Sequence, residues 1–171
     1  MTGKKIKLSP GGTETYDLVV SLENLQIGPV IFSPKQWKAF PHSNHKWNWI
    51  SVPFREEEKV RVPADKHGIY SFVIIPNVAS HPLNSLLVYI GKADRMSFRS
   101  EFDRYFSEIR NMKRIPLCKW LFDCHEHLYF CYTEIDDNTT IDRIERDLNK
   151  ALLPPGNSQY EGILNKAMRA F

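Results

Sequence analysis

Strand-like and helix-like hydrophobic patterns alternate along the second half of this chain. Gly68 to Ile75 is a β-branched and aromatic run stopped by Pro76, and Leu86 to Gly91 repeats the pattern. The polar segment Asn77–Ser85, with Pro82 inside it, separates them. Ser97 to Asn111 carries apolar residues at 98, 102, 105, 106 and 109, the spacing of one helical face. Residues 113–124 read as a shorter helical or irregular piece, and His127 to Ile135 alternates as a third strand. Asp136 to Thr140 offers helix-capping side chains, and Ile141 to Leu153 then reads as a helix ended by Pro154-Pro155-Gly156. The order β-β-α-α-β-α predicts an α/β (α+β) fold, a small three-stranded antiparallel sheet with flanking helices. Tyr16 to Val20 and Pro29 to Phe32 also read as strands, so 1–65 is expected to be a β-rich N-terminal extension and 66–171 the main domain.

Composition refines this picture little. With 42% hydrophobic and 25% charged residues over 171 positions, the chain has what one packed domain and an extension need. No apolar run approaches the roughly 20 residues that span a bilayer, so no membrane association is expected. The basic start, Met1 to Lys7, is followed by no apolar stretch with a cleavage site, and a secretory signal is not expected. Cys118, Cys124 and Cys131 are an odd set that suits reduced thiols, hence a cytoplasmic location. The net charge of +3 comes from residues 1–66, with ten Lys and Arg against seven acids; the remainder balances. A polyanionic partner is compatible with that excess but not required by it.

One carboxylate stands out on pattern alone. On the last helix Ile141, Ile144, Leu148 and Leu152 form an apolar stripe, and Glu145 falls on it, while Asp142, Arg143, Arg146, Asp147 and Lys150 point elsewhere. A carboxylate facing a sheet needs a partner, either an arginine in a structural ion pair or a metal. Other signals are weaker. Cys118, Cys124, His125, His127 and Cys131 fit no common zinc spacing and favour a structural role. The aromatic cluster Trp37, Phe40, Trp47, Trp49 and Phe54, interleaved with Lys35, Lys38 and Lys46, suits either base stacking or core packing. Arg104, Lys113 and Arg114 suit phosphate contacts or a solvated helix face.

Gly68-Ile69-Tyr70 and Tyr89-Ile90-Gly91 sit in the two successive strands, and together they resemble the signature of the GIY-YIG nuclease family. Further positions match: Lys92, Arg99 eight residues after the second tripeptide, Glu145 on the last helix, and Asn157 twelve residues beyond it. This spacing is close to that of the excision-repair nuclease domain, and the resemblance covers residues 66 to about 160. It implies a DNA endonuclease using Mg²⁺ (or Mn²⁺), of restriction or phage-defence type. Glu145 would be the metal ligand, Arg99 the phosphate clamp and Tyr70 the general base, with Tyr89 in the same site orienting Tyr70 or the water. Asn157 would fix the phosphate or the helix end, and Lys92 would tune a tyrosine or touch phosphate. Lys92, Arg104, Lys113 and Arg114 would contact DNA. A homodimer would serve double-strand cleavage.

Two features depart from the family. Asp103 stands where a His or Tyr is usual, so it is expected either to orient Arg99 or to add a metal contact. Tyr89 lies nineteen positions after Tyr70, a long spacing that makes loop 76–85 an insertion at the site's rim. The alternative is a non-catalytic nucleic-acid-binding module that keeps the fold.

Overall fold

The computed structural model describes residues 33–76 and 84–157, except 112 and 114. The expected strands at 16–20 and 29–32, Arg114, and most of loop 76–85 lie outside the described residues. Helix α1 (Pro34–Lys38) is followed by strand β1 (Ile50–Pro53) and a 3₁₀ turn, Glu56–Arg61. Strands β2 (Gly68–Ile74) and β3 (Leu86–Ala93) come next, then helices α2 (Phe98–Arg110) and α3 (Ile115–Asp123). Strand β4 (Leu128–Glu134) and helix α4 (Asn138–Leu152) complete the described order.

The fold is α+β, and its antiparallel sheet has the order β1-β4-β2-β3, one strand more than expected. The extra strand comes from the expected extension: Ile50, Ser51, Val52 and Pro53 pair with Tyr132, Cys131, Phe130 and Tyr129. Pattern alone hides β1 because it is short and only Val52 is buried, so no alternation develops. Val52, Phe54 and Val62 enter the same core as Tyr70 and Phe72, so residues from Ile50 onward share one sheet and one core with the rest.

The helices begin and end for local reasons. Ser97 caps α2 by accepting from the Ser100 amide, and Asp137 caps α4 by accepting from the Thr139 amide. Leu153, at φ 48°, closes α4 in the left-handed region just before Pro154 and Pro155 forbid continuation.

The two faces of the sheet bury different sets. On one, Tyr70, Phe72, Phe130 and Tyr132 pack under Phe98, Phe102 and Tyr105 of α2 and Leu117 and Leu121 of α3. On the other, Ile69 and Ile90 meet Ile141, Ile144 and Leu148 of α4, with Phe40 and Trp47 packed alongside. Each such side chain contributes about 1.5–3 kcal/mol when fully buried, so both faces are strongly specified.

Candidate functional site

The glycines of the two tripeptides are explained by packing. Tyr70 faces Gly91 across β2 and β3, and a Cβ at Gly91 would lie 2.6 Å from the Tyr70 ring carbon and hydroxyl. Gly68 has φ +147°, and a Cβ there would strike the Thr133 carbonyl on β4. Gly91 thus leaves room for the Tyr70 ring across β2 and β3, and Gly68 for the close approach of the Thr133 carbonyl.

Tyr70 itself is 1% exposed. Its hydroxyl donates to Glu101 Oε2 at 3.0 Å and lies 3.1 Å from the Tyr105 hydroxyl, with the Arg104 guanidinium at 3.4 Å. Burial, then the neighbouring Tyr105, Tyr89 and Glu101, pushes the Tyr70 phenol well above its ordinary pKa. Tyr89 shares this face, its ring centroid 6.3 Å from that of Tyr70. The two phenols therefore do converge, but toward α2.

Glu145 and Lys92 lie on the opposite face. Lys92 is the register partner of Ile69, and strand alternation puts it with Ile90 on the side that α4 covers. Its ammonium pairs with Asp94 at 3.1 Å and with Asp142 of α4. Glu145 is half-buried beside this cluster and accepts from Asn149 Nδ2 at 3.0 Å. Burial raises the Glu145 pKa; the Lys92 charge and the Asn149 hydrogen bond oppose this, and the Asp94 charge adds to it. The sheet thus stands between Tyr70 and Glu145, because neighbouring positions on a strand face opposite ways. This corrects the expectation of one shared site.

The remaining expected residues also find structural partners. Asn157 accepts from the Ile90 amide at 2.9 Å and donates to the Ile90 carbonyl at 2.8 Å, while the Gly156 amide donates to the Val88 carbonyl. Residues 156 and 157 so complete the outer edge of β3, and Asn157 fixes a strand instead of a phosphate. Arg99 donates to the carbonyls of Val62 at 2.8 Å and Val60 at 3.2 Å. Asp103 pairs with Lys59 at 2.8 Å on the surface, while Arg99 is held by the two carbonyls and not by Asp103. Arg104, expected to meet DNA, binds Glu101 and Glu108 and stacks on Tyr105. Burial alone would lower its pKa, but Glu101 and the adjacent phenols raise it on balance, so it stays charged. Lys113 is exposed.

Sequence patterning missed four participants. Asp94 is two residues past Lys92, and Asp142 is three before Glu145, a helical neighbour spacing read above as pointing elsewhere. Glu101 lies three residues after Phe98 on the buried side of α2. Asn149, four after Glu145, keeps its amide oxygen buried with no partner among the described residues.

A divalent cation fits part of this arrangement. Glu145 offers a hard, partly desolvated carboxylate, and the buried amide oxygen of Asn149, without a partner among the described residues, is a second oxygen on the same helix. Among the described residues no group of three or more His, Cys, Asp or Glu is arranged to hold a metal ion. A cation held by these two oxygens would take its remaining ligands from water, a coordination that Mg²⁺ accepts. The chain matches no family model, no curated protein and no solved structure.

Proposed function

We propose that this protein is a Mg²⁺-dependent DNA endonuclease of the GIY-YIG type, acting in restriction or phage defence. The observation that carries the reading is Glu145, a carboxylate on the apolar stripe of α4, half-buried beside Lys92 at the end of the second tripeptide strand. Glu145, with Asn149, would hold the cation, and the bound cation supplies Lewis-acid polarisation of a phosphoryl oxygen and a more acidic water. Lys92 would hold a non-bridging phosphate oxygen. Its partner Asp142 is 68% exposed, so that ion pair is weak and a phosphate can displace it. Asp94 then keeps the ammonium in place at the end of β3.

Tyr70 is not offered as the base, because its phenol is buried among Glu101, Tyr105 and Arg104 on the far face. That burial, with Arg99 engaged by two backbone carbonyls, favours a second reading, a nucleic-acid-binding module that has kept the fold without cleavage. No helix of the described residues is long and apolar enough to cross a membrane, and Cys118, Cys124 and Cys131 are free thiols. We place the protein in the cytoplasm on that thiol chemistry, with homodimerisation needed for coordinated double-strand cuts.

Nicking of supercoiled plasmid in Mg²⁺ or Mn²⁺ tests this. Wild type should nick and Glu145→Ala should lose at least about 100-fold in rate, an ordinary loss for removing a key electrostatic group. Nicking that survives Glu145→Ala overturns the site. DNA binding with no cleavage in any divalent metal leaves the binding-module reading standing.

A further inference from the structure

On the Glu145 face of the sheet lies a cavity of about 410 Å³. Its outer wall is Trp37, Phe40, Trp47 and Trp49, and its floor includes Ile90 of β3 and Leu148 of α4. This wall is held in place. The Trp47 indole N–H donates to the His42 carbonyl at 3.1 Å, and the His42 imidazole pairs with Asp147 of α4 at 2.9 Å. The Trp47 and Trp49 rings are within 11° of parallel, with centroids 6.0 Å apart. Trp37 and Trp49 remain 49% and 40% exposed, flat apolar surface left at the cavity mouth.

Three observations together identify the occupant. Residues 33–49, the segment that supplies the aromatic wall, carry the exposed Lys35, Lys38 and Lys46 and no acidic residue, so a polyanion approaching that wall meets net positive charge. The lining is aromatic and aliphatic, which suits a planar apolar face more than a polar headgroup. The floor is continuous with the candidate site, since Ile90 precedes Lys92 by two strand residues and Leu148 follows Glu145 by three helical ones. Those steps are about 7 Å and 5 Å, within the reach of one nucleotide. We propose that the cavity takes an unstacked base of single-stranded or locally opened nucleic acid whose phosphate lies at Lys92 and Glu145. The inference rests on the nuclease reading for the phosphate but on the aromatic wall for the base. Stacking on indoles tolerates every base, so the cavity selects for strand opening and not for sequence.

The full chain is titrated, in Ca²⁺ to prevent turnover, with a fluorescein-labelled 12-nucleotide oligo-dT and with the same oligonucleotide carrying abasic sugars at its four central positions. The intact strand should bind about 5- to 100-fold more tightly and quench tryptophan fluorescence, as stacking on one indole predicts. Trp49→Ala should remove most of that preference while leaving abasic-strand affinity unchanged, and Trp49→Phe should restore part of it. Equal affinities for the two strands overturn the proposal, as does a Trp49→Ala loss shared by both. So does an apolar dye such as ANS that fills the cavity and is not displaced by the intact strand. Base-dependent binding without plasmid nicking overturns the nuclease reading alone, and nicking with equal strand affinities overturns the base site alone.

Discussion

Glu145 sits where burial penalises its charged form, and that has a readable pH signature. Its native pKa is raised, so the folded chain holds the proton more tightly than the unfolded one. Stability therefore falls as pH climbs from the ordinary carboxyl range through the raised value, and the penalty is complete above it. Glu145→Gln keeps the oxygen that accepts from Asn149 and removes the charge. Thermal melts in EDTA should show the variant more stable than wild type at neutral pH, the gap closing below about pH 4, where the carboxyl is protonated in both states. Millimolar Mg²⁺ should raise the wild-type melting temperature and leave the variant where it was. A wild-type curve indifferent to Mg²⁺ would remove Glu145 as the cation's ligand. Tyr70 behaves differently. Tyr70→Phe leaves the ring packed but takes away the hydroxyl between Glu101 and Tyr105, which should lower stability by about 1–3 kcal/mol in urea unfolding.

Helix α4 and strand β3 form one unit at the scale of elements, because the chain after the helix returns to bond the outer edge of the strand. Asn157 occupies both backbone groups of Ile90, as a further strand would, and so ties the chain that follows α4 to the strand carrying Lys92. Asn157→Ala should lower stability by about 1–3 kcal/mol and speed hydrogen exchange at the Ile90 amide. Mg²⁺ affinity should fall with it, since the helix that carries Glu145 is less firmly placed. Unchanged Ile90 exchange would mean that the edge is held by Gly156 alone. Gly91→Ala probes the other side of the same strand. A methyl forced against the Tyr70 ring should destabilise by about 1–3 kcal/mol. The elements were largely legible in the sequence: α4 from its stripe and caps, and β2 and β3 from their β-branched runs. Asn157 was legible as a position and not as a role, because a side chain acting as a strand is a tertiary fact with no local pattern.

At the scale of the whole molecule the sheet separates the buried phenol network under α2 from the Glu145–Lys92 cluster under α4, and this division was the least legible feature. Period-two alternation tells that Tyr70 and Lys92 occupy different faces once the register Ile69↔Lys92 is known, but register follows from a long β2–β3 connection and not from a tight turn. The tripeptides marked the right strands, and the direction of the phenols depended on where α2 packed. A prediction at this scale follows from the separation. Substitutions under α2, such as Tyr105→Phe and Arg104→Met, disturb the network of Tyr70, Glu101 and Glu108. They should shift urea midpoints while the nicking rate of the folded fraction stays within about threefold of wild type. Glu145→Gln should do the opposite, losing nicking by about 100-fold or more with the urea midpoint unchanged or raised; Lys92→Met should lose nicking to a similar extent and lower the midpoint, since Asp94 and Glu145 lose the cation beside them. Lys92→Met should also flatten the dependence of DNA affinity on salt, because one phosphate contact fewer releases one counterion fewer. The decisive comparison is Tyr70→Phe at a temperature where every variant is fully folded. Loss of nicking there, with DNA and Mg²⁺ binding intact, would show that the phenol reaches the reacting phosphate in the bound state and that the two faces are one site.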